Sequence, residues 1–227
     1  MTPHLARRAF LALLAAALPA PPAAAVAARL VPPDEVQLAD GRVVVLRGVV
    51  LWEAGMLEEV RVRRVFGRDR HGRLRAELGI PGRRGDLRAV LLREGRALVD
   101  PTAVDEEEAG RLLVLEYRAR RRRRGLWRDP PVERADRVRA RPLRFALVRG
   151  RVRRVGRAGR FVYLDFGRDF RRDFSLRLAP PVVAHFRRNG IEPDLLAGHR
   201  VEARGWILEQ GGPMIHVTSP LQLEVSP

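Results

Sequence analysis

Apolar and polar positions alternate with a period of two through much of this chain, and short helical stretches interrupt that alternation. Val43 to Val50 is a dense apolar run broken by Arg47 and Gly48. It follows the turn pair Asp40-Gly41, as expected of a strand leaving a hairpin. Val60 to Phe66 sets Val60 and Val62 against Arg61 and Arg63, the signature of a half-buried strand, and a turn over Gly67 to Gly72 returns the chain into Leu74 to Leu78. Asp86 can cap a helix running to Glu94, where Gly95 stands ready to stop it. A short strand, Ala97 to Val99, follows. Thr102 with Asp105 is close to a capping box and opens a second helix from about Val104 to Arg124, ended by Gly125.

The segment from Asp129-Pro130-Pro131 to Arg141-Pro142 is proline-bounded, charged and aperiodic, so it reads as an inter-domain linker over 130–142. Beyond it the period-two pattern predicts strands Phe145 to Val155, Phe161 to Phe166, Phe174 to Leu178, Val201 to Leu208 and Met214 to Val217. A helix near Pro181 to Asn189 falls between the third and fourth. Five strands with a helix after the third is the order of an OB barrel, here over 143–227. The preceding domain spans 34–129.

At the N-terminus, Arg7 and Arg8 precede an apolar run from Ala9 to Leu18, and small residues continue through Ala25-Val26-Ala27. This is the layout of a signal peptide over 1–28, cut after Ala27 or Ala28. The run is too short to span about 30 Å of hydrocarbon, so no stable membrane span is expected in the mature form. The expected location is the periplasm or the medium. Without cysteine there is no disulfide, no thiolate metal site and no cysteine nucleophile, and stability must come from the core.

A formal charge of +17 with a sequence pI near 11.7 draws polyanions to the surface. No lysine occurs, and arginine suits bidentate phosphate contacts, although codon bias can also produce such a swap. Charge alone does not select nucleic acid over lipid or polysaccharide. Along the second helix, Asp105 to Glu108 lie at the start, with Arg118 and Arg120 to Arg124 at the end, each sign at the dipole end that stabilises it. Arginines on consecutive positions point all around a helix, so this run reads as a solvated terminus that adds to the general field.

Three segments carry a resemblance: Asp69-Arg70-His71-Gly72-Arg73-Leu74, Leu91 to Val99, and Ala119 through Gly125-Leu126-Trp127. In order, they are similar to the D-[KR]-Y-G-R-L turn, the L-V-R-x-G-x-A-x-V segment and the closing A-x-x-x-x-x-G-L-W of the thermonuclease (staphylococcal nuclease-like) family. The resemblance implies an OB-type barrel with packed helices. The expected fold class is therefore mainly β with α (α+β), as tandem OB-fold barrels. It also implies a calcium-dependent phosphodiesterase, in which carboxylates hold the cation, a glutamate activates water and two arginines neutralise the phosphate.

Residue by residue the chain departs from that set. Arg73 matches the second arginine, with His71 in place of the tyrosine; the plain reading of Arg73 is a hairpin arginine holding a neighbouring acid. Leu46 to Glu53 occupies the place of R-L-x-G-I-D-A-P-E. Aligned on Gly48, Glu53 falls on the catalytic glutamate while Val45 and Val50 replace the arginine and the aspartate. Aligned on Arg47, the arginine is kept, but Trp52 and Gly55 replace the two acids. Asp40-Gly41-Arg42-Val43 puts an arginine where D-G-D-T has its ligand; Asp34 is the nearest substitute, with Pro32-Pro33 arguing against a ladder strand there. Between Glu53 and Val60 there is too little chain for the family's first long helix. If the domain is active, the catalytic candidates are Glu53, Arg47 and Arg73 with calcium. Otherwise no cofactor and no metal ligand is expected.

In the second domain, Phe161 and Tyr163 share one strand face, with Arg157 and Arg160 just before them and Arg177 on the next strand. OB barrels bind single strands by stacking bases on aromatics within a cationic groove, so these residues join Arg73 and His71 as nucleic-acid contacts. Alternation equally allows Phe161 and Tyr163 to cover the barrel end. Trp206 can be platform or packing, while His185, His199 and His216 are isolated and read as structural. The sequence thus points to an exported, catalytically degenerate nuclease-like protein that binds nucleic acid or another polyanion. The alternatives are an active thermonuclease and an envelope module for protein or glycan.

Overall fold

A computed structural model describes residues 24–139 and 143–226. The apolar run Ala9 to Leu18 and the linker's Arg141-Pro142 lie outside the described residues. The first domain opens with an antiparallel meander, β1 (Val26–Val31), β2 (Glu35–Leu38) and β3 (Val43–Val45), then β4 (Val49–Leu51), β5 (Gly55–Arg68) and β6 (Leu74–Gly79). Strands β1-β2-β3-β6-β5 close a barrel in which β3 runs parallel to β6 and β5 comes round to pair with β1. Leu30, Val36, Val44, Val60 and Leu78 fill its interior.

The barrel begins at Val26, upstream of the boundary at residue 34 read from the sequence. Ala28 and Leu30 provide inward apolar positions, and β1 is needed to close β2 against β5. Pro32, Pro33 and Asp34 form the tip between β1 and β2, where proline's missing donor is harmless, and pairing resumes at once with Val31 opposite Glu35. Only the turn Trp52 to Ala54 joins β4 to β5, so no helix stands between them.

Helix α1 (Leu87–Glu94) starts where Asp86 accepts from the Ala89 N–H at 2.8 Å and ends at left-handed Gly95. After β7 (Ala97–Val99), which pairs with β4, comes α2 (Glu106–Arg121), capped by Asp105 on the Glu108 N–H. Arg123 and Gly125 then take left-handed backbone, which ends α2 slightly before the sequence estimate. The two helix ends meet closely. A Cβ on Gly125 would lie 2.2 Å from the Gly95 carbonyl oxygen, one on Gly95 would lie 2.1 Å from that of Arg124, and the Leu126 N–H donates to Gly95 at 2.9 Å.

The second domain comprises β8 (Val132–Arg134), β9 (Arg144–Arg151), β10 (Arg154–Ala158), β11 (Phe161–Asp165), β12 (Ser175–Leu178), α3 (Pro180–Arg188), β13 (Arg200–Glu209), β14 (Pro213–Val217) and β15 (Leu223–Ser226). Its sheet runs β10-β11-β12-β14-β13-β9-β8, with β15 on β13. Strands β9 and β10 are two halves of one bent strand, so the chain joins distant parts of the sheet and curls it into an OB-like barrel. The parallel β12–β14 pair and α3 before β13 complete that topology. Val162, Leu164, Leu176, Leu178 and Ile215 form the core. Part of the expected linker is folded in: β8 pairs with β9, and Ala135 and Val138 enter this core.

A third apolar cluster joins the domains. Val50, Leu98, Ala119 and Trp127 of the first pack against Phe145 and Leu147 of the second, with Trp206 beside them. Next to it, Arg204 and Glu116 form an ion pair at 2.8 Å, with side chains only 7% and 3% exposed. Glu116 also accepts from the Val99 N–H at 2.6 Å. At the rim, Glu202 receives Arg120 at 2.6 Å and also Arg149. Burial of Glu202 opposes its ionisation, but the two guanidinium groups outweigh that and hold its carboxyl below the ordinary range.

Candidate functional site

The Asp69-to-Arg73 turn is built by one carboxylate and one glycine. Asp69 Oδ1 accepts from the N–H groups of His71 and Arg73 at 2.8 and 3.0 Å, and Gly72 takes the left-handed conformation that closes the turn. The Arg73 guanidinium is then engaged from several sides: Nε donates to Asp69 at 2.8 Å, Nη1 to Glu35 at 2.7 Å, and Asp34 lies 3.9 Å away. Three carboxylates thus converge here around a guanidinium that already occupies their centre. Asp34, the most weakly paired, is pushed up by burial, with Arg73 opposing and Glu35 and Asp69 adding to the shift. His71 sits exposed on the turn, its ring nitrogen within 3.0 Å of Arg70 Nε.

Beside this turn a hollow of about 400 Å³ is lined by Asp34, Arg47, Val50, Asp69, Asp100 and Trp206, among others. Arg47 donates to the Ala103 carbonyl at 2.6 Å. Asp100 is consumed: Oδ1 accepts from the Thr102 N–H and hydroxyl at 3.0 and 2.6 Å, and Oδ2 from Trp206 Nε1 at 2.9 Å. Val50 is buried among Phe145, Leu147 and Trp127. Of the carboxylates lining the hollow, Asp69 and Asp100 already accept from protein donors and Asp34 is the most weakly paired, while Val50 offers no oxygen and Arg47 adds positive charge, a poor setting for a hard dication. Among the described residues no three His, Asp or Glu side chains are placed to hold a metal ion.

Arg47 lines the hollow, whereas Glu53 is exposed in the turn after β4, on the side of Arg96, whose carbonyl accepts from the Trp52 N–H at 3.0 Å. Neither Glu53 nor Arg73 is among the residues lining that hollow.

The second domain places its candidates on strands β11 and β12. Val162 and Leu164 are buried in the barrel, while Phe161 and Tyr163 alternate outward and stay half-buried. Tyr163 stands opposite Arg177, and Arg177 opposite His216 on β14. The Arg177 guanidinium lies 3.7 Å from the Phe161 ring centroid, and Arg160 lies 5.5 Å from the same ring. Gly156, opposite Tyr163, leaves open space, and a hollow of about 380 Å³ extends from there to Phe170 and Met214. Arg157 departs from the expected group. It pairs in register with Val162, and its guanidinium is clamped by Asp194, at 2.6 Å through Nε. Arg157 and Arg187 hold the Asp194 carboxyl down at about 2, so the clamp persists at any physiological pH.

His216 was not expected here from the sequence. Its signal was the parallel pairing of third and fifth strands implied by the OB order, which sets it beside Arg177. Burial first, and the Arg177 charge second, hold His216 below its ordinary 6.5, leaving it neutral at pH 7. As pH falls from 6.5 through this depressed value, the unfolded chain binds the proton more readily than the folded one, so stability falls. The protonated ring meanwhile adds positive charge to the face. The unfolding midpoint is therefore expected to fall on acidification below pH 6.5, and His216→Gln is expected to flatten that part of the pH–stability curve.

A closed OB-type barrel with packed helices, joined through a shared core to a second OB-like barrel, defines an α+β protein of tandem OB-fold class. Residues 52–129 match the family model described as staphylococcal nuclease homologue, a match consistent with a thermonuclease-like domain over this stretch. The match takes in the Asp69 turn and the Gly125-Leu126-Trp127 close, and begins just after Val49–Leu51. No curated protein matches the chain. Among the described residues no helix is long and apolar enough to cross a membrane.

Proposed function

We propose that this protein binds single-stranded nucleic acid on the outward face of β11 and β12 and does not hydrolyse it. One contrast carries this: the outward face presents stacked aromatic and guanidinium groups, whereas the position where the family resemblance, aligned on Gly48, asks for a metal carboxylate is Val50, apolar and packed with Phe145 and Leu147 of the second domain. Tyr163 and Phe161 offer π-faces for bases, and Arg177 and Arg160 neutralise the backbone. Arg73, held by Glu35 and Asp69, keeps the barrel turn in place. Glu53 stands in the exposed turn after β4, away from the hollow.

Incubation of the purified protein with single-stranded and duplex DNA in calcium is expected to leave both intact. Its affinity for the single strand should fall linearly with log salt, with a slope of about −0.7 per neutralised phosphate. Cleavage abolished by a chelator would overturn the non-hydrolytic reading. Salt-independent binding would point instead to a protein or glycan ligand.

The protein is exported, and its leader is cut so as to spare β1. Cleavage after Ala27 would remove Val26, which pairs with Val60, and Ala27, whose carbonyl accepts from the Ala39 N–H; cleavage after Ala28 would also remove the residue paired with Leu38 and Leu57, whereas a cut after Ala25, at the end of the small-residue run, leaves the strand whole. N-terminal sequencing of the exported protein is expected to begin at Val26; a start at Arg29 would refute this.

A further inference from the structure

The arginine run that closes α2 does not point evenly around the helix. Arg120 turns toward the second domain, where it pairs with Glu202 and lies 5.1 Å from the Trp127 ring centroid. Arg123 leaves the helical path with φ 49. Arg118, Arg121, Arg122 and Arg124 instead line one hollow of about 440 Å³ together with Arg93 from the end of α1. Leu115 and Ala119 also line it.

We infer that this hollow is a binding site for adjacent phosphate groups. Among the described residues, none of the five arginines has a carboxylate within 4.0 Å. Glu94, the nearest acid in sequence to Arg93, is turned to Arg83 and Arg96, and Glu116 is buried on Arg204. The two helix C-termini contribute roughly −0.5 each, leaving a charge of about +4 to be met from outside. Two of the guanidinium groups are already oriented by backbone: Arg93 donates to the Arg84 carbonyl at 2.9 Å and Arg124 to that of Arg93 at 3.5 Å. Arg121 is steadied over the Tyr117 ring at 5.9 Å.

Proximity is imposed by the fold. The Gly95–Gly125 approach, in which each glycine occupies space that a Cβ would need, pins the end of α1 to the end of α2 and forces like charges together. Mutual repulsion of that kind is relieved by an anion of matching density. Guanidinium forks on two helix ends suit a run of phosphates, which spans several forks, better than a single carboxylate. The source is either a nucleic-acid backbone or a free oligophosphate. The site lies on the thermonuclease-like domain, and its occupation does not depend on the β11–β12 face.

Calorimetric titration of the full chain with tripolyphosphate tests this, beside salt-dependent binding of a labelled oligothymidylate. Arg118 and Arg122 are exposed, so Arg118→Gln with Arg122→Gln should leave the circular dichroism unchanged and the unfolding midpoint no lower. Tripolyphosphate affinity is expected to fall at least tenfold in this variant. If the backbone of a nucleic acid is the source, the oligothymidylate salt slope also drops by about 1.4, the share of two single-strand phosphates. An unchanged slope with lost tripolyphosphate binding identifies a free oligophosphate. Absence of tripolyphosphate binding by the unaltered protein, or equal binding by the variant, would overturn the site. Tyr163→Ala, which tests the other face, should leave tripolyphosphate binding intact.

Discussion

Glu116→Ala is expected to destabilise the full chain by about 3–5 kcal/mol, read as a lowered urea or thermal midpoint. Glu116 and Arg204 are both nearly excluded from water, and the pair lies between the domains at 2.8 Å. Removing the carboxylate leaves Arg204 with the Val99 carbonyl at 3.3 Å as its remaining acceptor, far short of balancing a buried charge. The Val99 N–H loses its acceptor at the same time. Against a total stability of about 5–15 kcal/mol this is a large fraction. Replacing both partners, Glu116→Leu with Arg204→Met, should recover part of the loss, because desolvation of two charges disappears along with their attraction. Recovery stays incomplete by the penalty of the unsatisfied Val99 N–H, about 1–3 kcal/mol. A single variant that loses less than about 1 kcal/mol would show that water reaches this pair and that the domains do not share a dry core.

Tyr163→Ala is expected to weaken binding of a single-stranded oligonucleotide by about 1–3 kcal/mol, roughly five- to 150-fold, with little change in the unfolding midpoint. Tyr163 faces outward above the packed Val162 and Leu164, so its ring contributes a stacking surface more than core volume. Phe161→Ala should cause a loss of similar size by a second route. Arg177 has no hydrogen-bond acceptor for its buried Nε and takes its position from the Phe161 ring, so losing that ring frees the guanidinium as well. The two effects are therefore not additive, and the double variant should lose less than the sum of the singles. Anisotropy titration at fixed salt measures all three. Unchanged affinity in Tyr163→Ala would remove the β11–β12 face from nucleic-acid binding.

The alternation of Val60 and Val62 with Arg61 and Arg63, the Asp86 cap, the Gly95 stop and the strand order of the second half determined the elements and the OB class, because periodicity and capping are local properties of the chain; the capping box read at Thr102 and Asp105 forms otherwise, with Asp105 itself capping α2 and Thr102 bonded to Asp100. The Asp69-to-Arg73 turn was legible for the same reason: Asp69 and Gly72 build it from within. Tertiary structure alone decided what each charged residue does. It placed Glu35 on Arg73 and Asp194 on Arg157, partners that lie far from each arginine in sequence. It brought His216 beside Arg177 by a parallel pairing between distant strands, and it split the arginine run of α2 into an inter-domain pair and a cationic hollow. It also covered Val50 with a second domain. A charge on a flexible arginine reaches several partners at similar sequence distance, and only the close approach of separate elements fixes which carboxylate, ring or open space it meets.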